Sequence, residues 1–139
     1  MNQEELRSLV TKYHTAHKQE ISESLERELA GMIKTSDIRC EESARGGQGE
    51  VVVFTIPSYR EDLISIPENC QYSLIDDTEE VIERARRNLN HIGTSCLSGN
   101  AAALRDYLVA KGLGLYLRMR IVGNTCNSSH YVWDIIARW

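Results

Sequence analysis

The chain has 139 residues, 42% of them apolar and 26% charged, which fits one domain with its own core and excludes a disordered or collagen-like polymer. Its formal net charge is −4, yet residues 1–80 carry seventeen acids against eight bases, whereas residues 81–139 carry three acids against eight bases. No apolar run approaches the ~20 residues of a membrane span and no basic leader precedes an apolar stretch, so the expectation is a cytoplasmic or otherwise intracellular protein that does not engage a membrane.

In chain order, apolar residues first recur at Leu6, Leu9, Val10, Tyr13, Ile21, Leu25, Leu29, Met32 and Ile33, with no proline and only Gly31 near the end of the run. This spacing predicts an amphipathic helix from Gln3 to about Lys34, with Ser22 as the cap of a second helix if the run divides. At 1.5 Å per residue the helix is about 45 Å long, more than one small sheet can cover. Leu6, Leu9, Tyr13, Ile21 and Leu25 are therefore expected to meet another copy of the chain. His14 and His17 share a helix face, but the sequence places no third ligand beside them, so no metal site is assigned.

The stretch IRCEE, the turn ARGGQG and EVVVFTIP then read as a β-hairpin from Ile38 to Ile56. Pro57 and Pro67 bracket a connection, and NCQYSLI reads as a third strand. With Asp76 or Asp77 as N-cap, TEEVIERARRNLNHI is a helix that stops at Gly93. GTSCLSGN joins it to a further helix, AAALRDYLVAK, which Ser98 or Asn100 begins and Gly112 ends. Leu115–Val122 and Tyr131–Arg138 close the chain as a second hairpin. The predicted fold is α+β: a long N-terminal helix, an antiparallel or mixed sheet of four to five strands built from the two hairpins, and two helices between them. All belong to one domain, with parts at residues 1–34, 35–75, 76–112 and 113–139.

Motifs for chemistry are sparse. Cys40, Cys70, Cys96 and Cys126 never form C-x-x-C, so free thiols are expected rather than zinc or a dithiol. Asn127-Ser128-Ser129 reads as a turn. GTSCLSGN lacks both the spacing and the lysine of a phosphate loop. Cys96 sits just before a helix start, where a thiol pKa can fall, but no histidine partner is identifiable. No cofactor or catalytic set emerges.

The closing hairpin carries the strongest pattern. If Val122 opposes His130, then Arg120 faces Val132, Arg118 faces Asp134 and Tyr116 faces Ile136. One phase, Leu115, Leu117, Met119, Ile121, Tyr131, Trp133, Ile135 and Ala137, is apolar and must be core. The other phase presents Tyr116, Arg118, Arg120, Asp134, Ile136 and Arg138 as an outer face, with Arg118 compensated by Asp134, and Arg120 and Arg138 less so. Tyrosine and arginine on such a face suit a protein partner, a second copy of the chain included. The sequence is therefore read as a non-enzymatic interaction or assembly protein: a self-associating structural subunit, an adaptor or a small dimeric chaperone. A nucleic-acid-binding module is the alternative, with Arg84, Arg86 and Arg87 adding contacts to phosphate or to an acidic partner. A small enzyme with an unfamiliar site stands third.

Overall fold

The computed structural model describes residues 1–67, 70, 78–123 and 130–139, the side chains of Ile92 and His130 excepted. The expected third strand over NCQYSLI lies outside these residues apart from Cys70, as do Asp76, Asp77, Cys126 and the Asn127–Ser129 turn.

The first helix, α1, runs unbroken from Gln3 to Arg45, 43 residues or about 65 Å. Asn2 caps it, its Oδ1 accepting from the Glu5 amide at 2.8 Å, and Glu4 and Glu5 sit where the helix dipole favours negative charge. Ser22 begins no second helix. The reading of Ile38–Glu42 as a strand is also corrected: these residues continue α1, because Ile33, Ser36 and Cys40 follow helical spacing onto the core while Asp37 is held by α3. Five residues of apparent alternation do not outweigh those contacts. The helix ends at Gly46 and Gly47, whose amides bond to Glu42 O and Ala44 O.

Strand β1 (Glu50–Ile56) follows, then α2 (Glu79–Ile92), a short 3-10 turn (Gly93–Cys96), α3 (Gly99–Ala110), β2 (Gly114–Val122) and β3 (His130–Arg138). The cap of α2 is Thr78, whose hydroxyl accepts from the Val81 amide. Among the described residues the sheet has three antiparallel strands in the order β1-β3-β2, not four or five. The β2–β3 register pairs Val122 with His130, Arg118 with Asp134 and Tyr116 with Ile136, as the sequence pattern required. A bulge at Val53 shifts the β1–β3 register between Val52 and Phe54, so Val53 and Phe54 both reach the core.

All three helices pack on one face of the sheet. Met32 of α1, Leu89 of α2 and Leu104 and Leu108 of α3 join Leu117, Met119, Trp133 and Ile135 in a single apolar cluster. Residues 1–27 take no part and are exposed throughout, so α1 projects from this body by about 38 Å beyond Leu29. Its point of departure is fixed by a polar clamp. Arg60 donates to Glu28 from Nη1 and Nη2 at 2.9 and 3.0 Å and to Asp62 from Nε and Nη2 at 2.9 and 3.0 Å, while Asn100 donates to Leu25 O at 2.9 Å and Glu28 Oε1 at 3.0 Å.

GTSCLSGN forms a connector rather than an anion site. The Ser98 amide bonds to Leu63 O at 2.8 Å and its hydroxyl donates to Asp62 O at 3.0 Å. Gly99 has φ +53°, and a Cβ there would lie 2.8 Å from Asp62 O. Both the backbone conformation and the space require glycine. Gly99→Ala is expected to lower unfolding free energy by about 1–3 kcal/mol, measured by urea denaturation; an unchanged midpoint would show that this connector is not a fixed support.

Candidate functional site

The outer face of the sheet is organised around Asp134 on the central strand. This carboxylate is 1% exposed and accepts four hydrogen bonds: from Thr55 of β1 at 2.7 Å, from Arg118 at 3.1 Å, and from Arg120 at 3.0 and 3.2 Å. Burial pushes its pKa up, but the bonds from Arg120, Thr55 and Arg118 outweigh burial and hold it below the ordinary aspartate value. Sequence reasoning placed Arg118 correctly against Asp134 and left Arg120 less compensated. In the structure Arg120 lies two pairs along the ladder, on the same face, and makes the two-pronged contact, because its long side chain reaches diagonally across the sheet.

A second cluster closes the end of the same face. Glu50 of β1 accepts from Tyr116 Oη at 2.6 Å and Arg138 Nη2 at 3.3 Å, and the Arg138 guanidinium lies 4.6 Å from the centre of the Tyr116 ring. The Tyr116 hydroxyl, followed by Arg138, keeps the Glu50 carboxyl low, and the Glu50 bond raises Tyr116 in return. Arg138 thus has the partner that sequence reasoning did not find. The miss has one cause: β1 was assigned to a separate hairpin, and the chain alternation does not say that β1 flanks β3.

Val132 and Ile136 are buried on this outer face although neither belongs to the core cluster. Ile136 lies between Val52 of β1 and Tyr116 of β2, and Val132 stands opposite Arg120 of β2. Of the six residues read as an interaction surface, Asp134 and Ile136 therefore sit inside the sheet, and Tyr116, Arg118, Arg120 and Arg138 form the accessible layer above them. Three guanidiniums over two carboxylates leave that layer with one net positive charge.

Of the other expected residues only Arg86 comes near this face, lining a groove with Tyr116, Arg118 and Arg138 at the β2 edge. Arg84 pairs with Glu80 at 3.6 Å and Arg86 with Glu83 at 3.4 Å on α2, and Arg87 is exposed beside them. His14 and His17 flank Tyr13 on the projecting helix, His17 stacked on its ring at 5.9 Å. Among the described residues no group of three metal-binding side chains comes together. Cys40 and Cys96 are free thiols, and burial raises the Cys96 pKa, opposite to what a helix-start nucleophile needs. No described helix is long and apolar enough to cross a membrane.

Sequence reasoning also missed two anchoring groups. Asp37 accepts from Tyr107 Oη and Lys111 Nζ, each at 2.8 Å, and Glu28 is the centre of the Arg60 and Asn100 clamp. Both are single acids among many on α1, and only their contacts distinguish them. No family model matches this chain, and comparison with curated proteins and with solved structures finds no match either.

The low Asp134 pKa has a sign. A carboxyl whose pKa is lower folded than unfolded contributes stability above its unfolded value, near pH 4, and loses it as pH falls through the folded value. Asp134→Asn is expected to cost about 2 kcal/mol at pH 7. Glu28, Asp37, Glu50 and Asp62 are lowered as well, so the variant should retain part of the acid loss. Urea titrations at pH 7, 4 and 3 check this: the wild type should lose more stability below pH 4 than the variant, and parallel losses would exclude Asp134 as a contributor.

Proposed function

We propose that this protein is a non-enzymatic assembly subunit that self-associates through the projecting part of α1. The observation that carries this reading is a ridge at four-residue steps, Leu9, Tyr13, His17, Ile21, Leu25, Leu29 and Ile33. Its last two members pack on the core, whereas Leu9, Tyr13, Ile21 and Leu25, with Leu6 and Val10 beside them, are 44–65% exposed. The same ridge that seats the helix on its own sheet continues outward with nothing on it. A lone helix of this length gains little in water from hydrogen bonding alone, and a long apolar ridge is what a helix presents to another helix.

A second copy is the occupant that the apolar ridge favours. An antiparallel pair centred near residue 15 sets Leu9 against Ile21 and Tyr13 against His17, with Arg7 against Glu23 but Glu4 against Glu26 and Lys12 against Lys18, so the pairing rests on the apolar contacts rather than on charge. The two folded bodies then sit at opposite ends of a shared rod. The nucleic-acid alternative finds less support, because Arg118, Arg120 and Arg138 are each bound to a carboxylate, as are Arg84 and Arg86.

Light scattering coupled to gel filtration tests the reading. The wild type is expected to have twice the chain mass at micromolar concentration. The double substitution Tyr13→Glu and Ile21→Glu is expected to give the single-chain mass and to lose helical circular dichroism from the projecting segment, with the thermal transition of the folded body within a few degrees of wild type. A wild type that stays monomeric at high micromolar concentration would overturn self-association.

A further inference from the structure

Between α2 and the outer edge of β2 lies an open groove of about 700 Å3. One wall is the backbone of β2 from Gly114 to Met119; the other is formed by Arg86, Leu89, Asn90 and Gly93. Strand β2 pairs with β3 along its whole length, and among the described residues no backbone bond reaches its other edge. An unpaired edge of this kind is a template for another extended chain, and proteins ordinarily blunt or cover it. Here α2 stands beside the edge without filling it, which leaves the groove open along β2. Six residues of β2 span about 20 Å, room for a guest of about six residues.

The lining states what such a guest must look like. Leu115, Leu117 and Met119 turn their side chains to the helix-covered face, where Leu89 meets them, so one phase of the groove is apolar. The charged members of the lining are Arg86, Arg118 and Arg138, and no carboxylate is among them. Each is already paired, Arg86 with Glu83 at 3.4 Å, Arg118 with the Asp134 it shares with Arg120, and Arg138 with Glu50 at 3.3 Å, but all three side chains stay 44–60% exposed and can accept a further carboxylate. A second copy of β2 is a poor guest, since it would lay its own Arg118 and Arg120 against these like charges.

We infer that this groove binds an extended acidic segment of a partner protein, added as a fourth strand along β2. The guest's backbone pairs with the edge, its apolar side chains face Leu89 and the inner phase of β2, and its carboxylates face Arg86, Arg118 and Arg138. The inference goes beyond the self-association of α1 and does not depend on it.

The test uses the full chain and fluorescein-labelled peptides in anisotropy titrations. An acetylated octapeptide alternating valine and glutamate is expected to bind, and the same peptide with lysine for glutamate is not. N-methylation of every second residue, on whichever register faces β2, should abolish binding while leaving charge and side chains intact. Arg86→Glu, an exposed change that spares the Asp134 cluster, is expected to weaken binding about tenfold, corresponding to about 1.4 kcal/mol. The α1 variant Tyr13→Glu with Ile21→Glu should bind as the wild type does, so failure of the helix reading and failure of the groove reading give different results. Equal binding of the lysine peptide, binding that survives N-methylation on both registers, or binding of a decathymidine strand in competition with the acidic peptide would each overturn the inference. A dimer that persists in the α1 variant and is broken by Arg86→Glu would overturn it too, by showing that a second copy occupies the edge.

Discussion

A carboxylate on the middle strand of a three-stranded sheet is the contact on which the rest of this structure depends. Asp134 is enclosed by its neighbours and bonds to Thr55 on one side and to Arg118 and Arg120 on the other, so one residue ties β1, β3 and β2 together. An unpaired charge in that position would be costly, and the two guanidiniums relieve the cost while keeping their own ends in water. Val132 and Ile136 on the same strand are buried as well. The outer face therefore needs no covering layer of helices, and all three helices are left to the other side.

That division of labour sets the course of α1. One side of the sheet has to accept three helices, and α1 reaches it only with the segment from about Leu29 to Arg45. Asp37, bridged to Tyr107 and Lys111, fixes that segment against α3. Arg60 and Asn100 hold Glu28 where the helix leaves the body. These polar contacts are only partly buried and contribute modestly to stability one by one, but as a bidentate network they define direction. Beyond the clamp the apolar ridge continues without a partner among the described residues of its own chain.

The charge asymmetry of the sequence acquires a spatial meaning in the same way. Most bases of residues 81–139 are not a free electropositive field, for Arg118, Arg120 and Arg138 are matched to Asp134 and Glu50 across strands. What remains is local: one guanidinium in excess on the outer face, and along the α2–β2 groove Arg86, Arg118 and Arg138, each paired with a carboxylate yet 44–60% exposed. Net charge by half-chain had pointed to a partner surface. Folding neutralises most of that surplus within the chain.

The sequence alone determined the α+β class, the two inner helices, the closing hairpin and its register, because each rests on local periodicity or on a cap within a few residues. The alternation of LYLRMRIV against YVWDIIARW was enough to set Arg118 opposite Asp134, since a slip of one residue would have turned the core face outward. It also determined that α1 carries more apolar surface than its own domain can use. Tertiary structure alone decided that Ile38 to Arg45 extends the helix, that β1 joins β3, that Arg120 and Arg138 have partners, and that Glu28 and Asp37 are anchors. Those outcomes depend on residues 13 to 88 positions apart in the chain, such as Arg39 with Val52 and Glu50 with Arg138. Local spacing carries no information about which distant element will stand beside a given strand, and that choice is made by burying one continuous apolar cluster.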